Sequence, residues 1–329
     1  MTKAMTTHLL ALDWGTSSLR AFLMHDGKVI DTRQSGHGIQ HLPVAGETGF
    51  EKAFAAIAGD WVGQQPDIAV VASGMVGSAQ GWREAPYVAC PANIEMLAQN
   101  HVSVASGLGP DIVIAPGVVL DQTGQLPDVM RGEEIQIAGA LSANPQWATG
   151  SCIVLPGTHS KWVVVEHGKI RRFSTYMTGE LFAVLCHHSI LGRLMPDSVL
   201  GQGEPDWAAF EMGLSEARRS RAGDLLHQLF ATRTLGLTGR LPHGSLADYL
   251  SGLLIGSELV SGLEYAQNTL GVPLVMIGES TLCLRYARAL RFLEKPAATL
   301  LGNTAALGLW RYATAVGMIE RSSEMRMPT

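Results

Sequence analysis

Two short stretches of this sequence combine the residue types that bind an anionic phosphate group. The first follows the apolar run Leu9–Leu12 and reads Asp13-Trp14-Gly15-Thr16-Ser17-Ser18. Glycine lets a backbone approach a phosphate without a Cβ clash, while neighbouring N–H groups and hydroxyls donate hydrogen bonds. Asp13 is suited to a hydrated Mg²⁺ ion, which takes one or two carboxylates together with phosphate oxygens. The stretch predicts a β-hairpin with an anion-binding tip.

The same arrangement recurs later in the chain. The apolar run Cys152–Leu155 leads into Pro156-Gly157-Thr158-His159-Ser160 and then into Lys161–Val165. Both tips share the pattern Gly-Thr-x-Ser, and both hairpins continue to a Gly-Lys turn, at Gly27-Lys28 and Gly168-Lys169. Two ordinary hairpins are the alternative interpretation. The shared tip, flanking strands and downstream turn favour a paired phosphate-binding role.

These motifs and a late glycine turn resemble the actin/hexokinase/Hsp70-type ATPase superfamily. The resemblance implies an α/β fold in which two RNase H-like domains face each other across an ATP and substrate cleft. It assigns the phosphate contacts to Gly15, Thr16, Ser17, Ser18, Gly157, Thr158, His159 and Ser160. The second hairpin departs from the pattern, because Leu155-Pro156 stands where the superfamily often has an acid. Asp13 is therefore expected to be the main acid on the metal side.

A pair of acids begins a helix-like run ahead of the second hairpin. The residues are Arg131-Gly132-Glu133-Glu134, followed by an apolar segment. Acids in a first helical turn commonly complement the helix dipole. In sugar kinases of the superfamily, an acid at this place takes the proton of the substrate hydroxyl. The resemblance thus implies that Glu134 or Glu133 is the catalytic base. We prefer Glu134, although the sequence does not separate the two.

A strand at Pro273–Ile277 runs into Gly278-Glu279-Ser280 and then into a helical pattern. A routine strand-to-helix turn is the alternative reading. Its place in the chain matches the adenosine loop of the superfamily, where a glycine lets the nucleoside lie on the backbone. Gly278, Glu279 and Ser280 are accordingly expected to bind adenosine.

Two further loops narrow the resemblance from the superfamily to one family of kinases. They read G-M-V-G-S-A-Q-G-W from Gly74 to Trp82 and E-A-P-Y-V-A-C-P-A from Glu84 to Ala92. With R-G-E-E and L-P-G-T-H-S-K-W, they resemble the 2-dehydro-3-deoxygalactonokinase family from Asp13 to about Thr304. The resemblance implies that ATP phosphorylates the 6-hydroxyl of a keto-deoxy sugar acid in galactonate breakdown. The expected substrate-binding residues are Gly74, Met75, Gln80 and Trp82, with Arg20, Arg131 and Lys161 as partners for the carboxylate.

Two other functions stay open at this stage. One is a kinase of the same fold for another sugar or sugar acid, and the other is an actin- or Hsp70-like protein whose nucleotide drives partner binding. A net charge of −5 argues against a nucleic-acid partner. No segment approaches about twenty uninterrupted apolar residues, and no convincing signal peptide precedes Asp13. We therefore expect a cytoplasmic enzyme without a membrane partner, and a homodimer is compatible with the sequence.

Alternating strand and helix patterns must position these residues. Strands are predicted at 8–13, 19–24, 68–72, 112–115, 152–155, 162–166 and 273–277. Helices are predicted at 49–63, 93–100, 133–142, 178–194, 206–231, 245–268, 281–293 and 303–316. We expect an N-terminal domain over 1–131, completed by the C-terminal helix 303–320, and a second domain over 132–302.

Overall fold

The computed structural model describes residues 7–124, 126–196, 204–266 and 271–319. The chain divides into two compact units. The first contains Met1–Gly150, Val165–Arg172 and Asn303–Thr329, and the second contains Ser151–Val164 and Phe173–Gly302. Residues 132–150, which the sequence analysis groups with the second domain, lie in the first unit.

Strands and helices alternate along the described chain. The strands are β1 (His8–Trp14), β2 (Leu19–His25), β3 (Lys28–Ser35), β4 (Ala69–Gly74), β5 (Tyr87–Ala89), β6 (Val102–Ala105), β7 (Asp111–Ile114), β8 (Gly117–Leu120), β9 (Asp128–Met130), β10 (Gly150–Leu155), β11 (Ser160–Glu166), β12 (Lys169–Tyr176), β13 (Leu274–Ile277) and β14 (Thr299–Leu301). The helices are α1 (Glu47–Gln64), α2 (Ile94–Gln99), α3 (Glu133–Ala143), α4 (Thr178–His188), α5 (Trp207–Arg219), α6 (Leu225–Leu237), α7 (Leu246–Ala266), α8 (Ser280–Phe292) and α9 (Ala305–Val316). Over the described ranges, no helix has both the length and the apolar character that crossing a membrane requires.

The first unit is built on a six-stranded sheet with the order β3-β2-β1-β4-β7-β6. The central strand β1 pairs antiparallel with β2 and parallel with β4. Residues 9–12 of β1 are fully buried, as expected for a strand covered on both faces. Asp13 follows them opposite Ser73 of β4, so both residues lie where these parallel strands end. A smaller sheet, β5-β8-β9, also belongs to this unit.

The second unit repeats the strand order in a five-stranded sheet, β12-β11-β10-β13-β14. Here β10 is parallel to β13, and β13 is parallel to β14. In each unit three successive strands (β1 to β3, and β10 to β12) lie side by side. On its other side, the first of them pairs in parallel with a later strand, β4 or β13. The repeated order confirms the predicted α/β fold with two RNase H-like units.

The Gly-Lys turns predicted from the sequence are present in both units. Asp26 and Gly27 have φ angles of 48° and 79°, and His167 and Gly168 have φ angles of 50° and 72°. Two successive residues with positive φ form the tight turn that matches the twist of antiparallel strands. The turns therefore fix how β2 meets β3 and how β11 meets β12.

The prediction of a single helix over 206–231 is wrong. The chain forms α5 and α6 instead, because Ser220 adopts an extended conformation after α5. Asp224 then accepts a hydrogen bond from the Arg221 amide at 2.8 Å, which closes a turn between the helices. The helix predicted over 178–194 also ends early, at His188, where Ser189 is extended. Residues 267 and 268 of the helix predicted over 245–268 lie outside the described residues, and so does residue 320.

Candidate active site

The first tip (Gly15–Ser18) connects β1 and β2. The Gly15 amide donates to the Ser18 carbonyl at 2.9 Å and closes the turn. Thr16 and Ser17, which carry hydroxyls and backbone amides, are exposed on the first unit. The tip therefore offers hydrogen-bond donors to an anion.

Loop 36–41 holds the first tip through its main chain. Two amides of this loop donate to the Gly15 and Thr16 carbonyls, both at 3.1 Å. Gly38 is required in the loop, because a Cβ there would lie 2.3 Å from the Thr16 carbonyl oxygen. Close backbone packing thus sets the conformation of the first tip.

Asp13 lies two residues before the first tip, with its side chain 19% exposed. Its Oδ2 is 3.7 Å from Arg20 Nη1 and accepts from Asn303 Nδ2 at 3.4 Å. Burial raises the pKa of Asp13, whereas Arg20 and Asn303 act in the opposite direction. Ser73, its neighbour on β4, has a buried Oγ without a hydrogen-bond partner among the described residues. The Ser73 hydroxyl and the Asp13 carboxylate, whose charge Arg20 offsets in part, therefore lie at the same end of the sheet.

The side chains of the two acids in R-G-E-E accept hydrogen bonds from backbone amides just before α3. The Gly132 amide donates to both carboxylate oxygens of Glu134, at 2.9 and 2.8 Å, and the Arg131 amide donates to Glu133 Oε2 at 3.1 Å. Gly132 packs against Gly74, since a Cβ on it would lie 3.2 Å from the Gly74 Cα. The start of α3 therefore lies beside the end of β4.

Glu133 and Glu134 differ in access. Glu134 is only 1% exposed, and burial raises its pKa to about 8, with the neighbouring Glu133 charge adding to the effect. It borders a cavity of about 420 Å³ whose wall also includes Asn93 and Arg311. Glu133 is half-buried. Glu133 is therefore the more exposed of the two acids.

The second tip (Gly157–Ser160) connects β10 and β11. Thr158 and His159 are exposed, whereas Ser160 is fully buried. The Thr158 carbonyl accepts from the Glu180 amide at 3.0 Å, at the start of α4. The imidazole of His159 pairs with the Glu180 carboxylate. Only the outer part of this tip thus faces solvent in the second unit.

A buried polar network lies behind the second tip. Glu258 of α7 is 3% exposed. It accepts from Trp162 Nε1 at 2.8 Å and from Tyr286 Oη at 2.6 Å. Ser160 Oγ lies 3.1 Å from the same tyrosine oxygen. Burial raises the pKa of Glu258, while hydrogen bonds from Thr178, Tyr286, Trp162 and Ser160 act in the opposite direction.

The predicted adenosine loop is a helix cap in the structure. Glu279 precedes α8 and accepts from the amides of Thr281 and Leu282 at 3.0 and 2.9 Å. These hydrogen bonds, with that of the Thr281 hydroxyl the largest, lower the pKa of Glu279 to about 2. Gly278 is half-buried, and a Cβ on it would lie 3.3 Å from the Pro156 carbonyl oxygen. The loop therefore lies beside the end of β10.

The predicted substrate cations have different environments. Arg20 is 40% exposed beside Asp13. Arg131 is 9% exposed, stacks on Tyr87 and donates through Nη2 to the Ala85 carbonyl at 2.8 Å. Lys161 is 5% exposed and donates to Thr175 at 2.7 Å. Of these three, Arg20 is the cation that solvent reaches most readily.

The predicted substrate loop divides between surface and core. Gln80 is exposed, whereas Trp82 is 5% exposed and stacks on Phe50. Met75 is half-buried, and Gly74 has a φ of 92°. Gln80 and Trp82 border a cavity of about 580 Å³, together with residues of 39–47. This volume falls in the usual range for small-molecule sites.

Glu258 was not predicted, whereas the sequence had placed Ser73 at the start of the ligand loop and Asn303 near the adenosine pocket, without linking either residue to Asp13. Asn303 lies 290 positions from Asp13 in sequence. Glu258 lies 96 positions from Trp162. Ser73 directly precedes the glycine-rich loop, so its place at a strand end was the one available signal.

The model of the 2-keto-3-deoxy-galactonokinase family matches residues 13–312. The chain belongs to this family. The match includes Asp13, both tips, the start of α3 and Asn303, so the geometry described above lies within the family's own region. The family resemblance predicted from the sequence is confirmed.

Relatives and a solved structure agree with the family model. The 2-dehydro-3-deoxygalactonokinase of Escherichia coli (strain K12) is 35% identical over 92% of this chain and 95% of its own. A protein of Rhizobium meliloti (strain 1021), named as a probable 2-dehydro-3-deoxygalactonokinase, is 36% identical over 83% of this chain and 87% of its own. A crystal structure of a "putative 2-dehydro-3-deoxygalactonokinase protein" from Sinorhizobium meliloti is 30% identical with a TM-score of 0.80, and covers 94% of this chain and 99% of the other.

Proposed function

We propose that this protein uses ATP to phosphorylate the 6-hydroxyl of 2-dehydro-3-deoxy-D-galactonate. The observation that carries the proposal is the family match over residues 13–312, which spans both tips and the acids of α3. Phosphoryl transfer requires positioning and neutralisation of charge more than covalent chemistry. Exposed donors on the tips, one metal-side carboxylate and one base are sufficient for that task.

The surroundings of Asp13 fit a hydrated Mg²⁺ ion. Burial raises the pKa of this carboxylate, so a divalent cation would compensate the ionised form. Ser73 has an orphaned buried hydroxyl next to it. Mg²⁺ takes oxygen ligands and keeps several waters, so one carboxylate with phosphate oxygens is enough. In our proposal Asp13 holds the ion, which when bound neutralises phosphate charge.

We assign the role of base to Glu133. Glu134, favoured on the sequence, is 1% exposed and has both carboxylate oxygens bonded to the Gly132 amide. Glu133 begins the same helix and is half-buried. A proton acceptor must come within hydrogen-bond reach of the hydroxyl. Glu133 would accept the 6-hydroxyl proton, while Glu134 fixes the backbone at the start of α3.

In this proposal each tip, and the adenosine loop, contributes nucleotide contacts from its own unit. The exposed donors of Gly15–Ser18 and of Gly157–His159 bind phosphate oxygens. Ser160 is buried, so it supports its tip rather than contacting phosphate. The backbone from Gly278 to Ser280 accommodates adenosine, and the Glu279 side chain caps α8.

The sugar acid is assigned to the cavity bordered by Gln80 and Trp82. Arg20 is the accessible cation of the predicted set and would contact an anionic group of the substrates. Arg131 and Lys161 donate to the protein's own Ala85 carbonyl and Thr175 hydroxyl, while Gly74 ends β4 and Met75 follows it.

The test is an ADP-release assay on the purified protein with Mg²⁺ and ATP. Its arms contain 2-dehydro-3-deoxy-D-galactonate, the corresponding gluconate-derived acid, neutral hexoses and no acceptor. We expect turnover with the galactonate-derived acid and a 6-phosphate product in the ³¹P NMR spectrum. Faster turnover with another acceptor would replace the substrate assignment, and ATP hydrolysis indifferent to every acceptor would favour a nucleotide-driven interaction protein.

Glu133→Gln and Glu134→Gln form a matched pair for the assignment of the base. Loss of a general base lowers kcat by about 10²–10⁴-fold. We expect this loss in Glu133→Gln and a much smaller one in Glu134→Gln. The opposite ranking would return the base to Glu134.

A further inference from the structure

The second tip lacks an acid of its own at Leu155-Pro156, yet the structure places a carboxylate behind it. Glu258 is buried in the second unit, and its two oxygens accept from Trp162 at 2.8 Å and Tyr286 at 2.6 Å. A buried carboxylate is stable only when its lone pairs are satisfied. Glu258 has such partners, and several of them come from residues at or beside the tip.

The chain of hydrogen bonds runs from Glu258 to the tip backbone. Tyr286 donates its single hydrogen to Glu258, so Ser160 is the donor to Tyr286 in their 3.1 Å contact or to Glu258 itself. The Ser160 oxygen is then free to accept, and the Gly157 amide lies 3.4 Å from it. Glu258 thus determines which way the Ser160 hydroxyl points, and Ser160 orients the first residue of the tip.

A second connection runs through the start of α4. Thr178 also hydrogen-bonds to Glu258. One residue later, Gly179 lies so close to the tip that a Cβ would be 2.4 Å from the Gly157 carbonyl oxygen. The next amide, that of Glu180, donates to the Thr158 carbonyl at 3.0 Å. The same carboxylate therefore holds both sides of the tip's backbone.

We propose that Glu258 is a positioning residue for nucleotide phosphate, fixing the second tip through Ser160 and Thr178 without touching the ligand. The proposal rests on the phosphate-binding role assigned to this tip above. Satisfied buried networks of this kind hold one arrangement of groups. Removal of the carboxylate leaves several buried donors without an acceptor and lets the tip shift.

The test measures binding of ADP and of adenosine to the whole protein by calorimetry. Glu258→Gln keeps the size of the side chain but replaces one acceptor oxygen by a donor. We expect the affinity for ADP to fall about tenfold or more, because the buried hydrogen-bond network loses one of its two acceptor oxygens. The affinity for adenosine, which lacks phosphate, should change less than about twofold. Glu264→Gln, on the exposed part of the same helix, is the matched control and should bind both ligands as the wild type does.

A role limited to stability would give a different result. It would lower the unfolding midpoint of Glu258→Gln and leave the ratio of ADP to adenosine affinity unchanged, and this outcome would overturn the proposal. If Glu258→Gln does not fold, Tyr286→Phe decides, because it removes the hydroxyl shared by Glu258 and Ser160 while keeping the ring. An unchanged ADP affinity in Tyr286→Phe would then be the contradicting result. Wild-type turnover is measured separately, so a protein that binds ADP but transfers no phosphate would refute the proposed function alone.

Discussion

The two tips share Gly-Thr-x-Ser, a preceding apolar strand and a following hairpin, but they are held in different ways. The first is fixed by main-chain hydrogen bonds from loop 36–41, with Gly38 allowing the close approach. The second accepts a main-chain hydrogen bond from the Glu180 amide and also lies beside side chains that converge on the buried Glu258. Similar local sequence therefore does not imply similar support. Each tip has a closely packed glycine beside it, Gly38 at the first and Gly179 at the second, and the second tip adds the buried network around Glu258.

Asp13 in the first unit and Glu258 in the second also differ, in how far each carboxylate is exposed to solvent. Asp13 is 19% exposed at the end of β1, where it is open to ligands. Glu258 is 3% exposed and faces the protein's own donors. An acid that reaches solvent is available for metal binding, whereas a buried acid acts by holding neighbouring groups. This difference predicts separate kinetic effects.

The largest expected effect comes from Asp13→Asn. Metal-assisted neutralisation of charge contributes several kcal/mol, so kcat should fall on the order of 10³-fold. Steady-state kinetics with increasing Mg²⁺ measure the change. Near-normal kcat in this variant would contradict the metal-binding role of Asp13. The proposed difference in role between Asp13 and Glu258 would then not hold.

A smaller effect should follow Gly38→Ala. The new Cβ would overlap the Thr16 carbonyl oxygen, and overpacking of this kind costs about 1–3 kcal/mol. We expect weaker ATP binding, seen as a KM for ATP raised about tenfold. Gly36→Ala is the control in the same loop, since a Cβ there has nothing within 4 Å. Equal behaviour of the two variants would show that the loop does not hold the first tip.

Glu134 provides a pH test in the first unit. Its pKa is about 8 in the folded protein against 4.5 for the ordinary side chain, so the folded state keeps a proton that the unfolded chain releases. This contribution lowers stability as pH rises from about 4.5 to 8, by at most about 1.4 kcal/mol per pH unit. We expect urea unfolding midpoints, measured between pH 5 and 9, to fall less steeply with pH for Glu134→Gln than for the wild type. Parallel pH profiles for the two proteins would contradict the burial of this group.

The smallest effect is expected for Glu180→Gln. The Glu180 carboxylate pairs with His159 on the surface of the second tip, with side chains 40% and 49% exposed. Exposed pairs contribute about 0–1 kcal/mol, so the KM for ATP should change less than about fivefold. A larger change would mean that this surface pair, rather than Glu258, holds the tip.

Sequence patterns predicted those parts of the fold that local chemistry decides. The central strands were recognisable because Leu9–Leu12 and Cys152–Leu155 are apolar without interruption. Strand β3 was missed because most of its residues are exposed and lack an apolar alternation. The separation of α5 from α6 was missed because the capping bond of Asp224 is a short-range contact that periodicity does not reveal.

The sequence by itself determined the family, the two tips and their turns. Each of these depends on neighbouring residues: glycine where the backbone needs positive φ or space, and hydroxyls at the tips. Only the tertiary structure decided which of these residues reach solvent. It buried Ser160, separated Glu133 from Glu134 by exposure, and brought Asn303 to Asp13 and Glu258 to Trp162. The physical reason is that burial and long-range hydrogen bonds are properties of the packed chain, which no local pattern encodes.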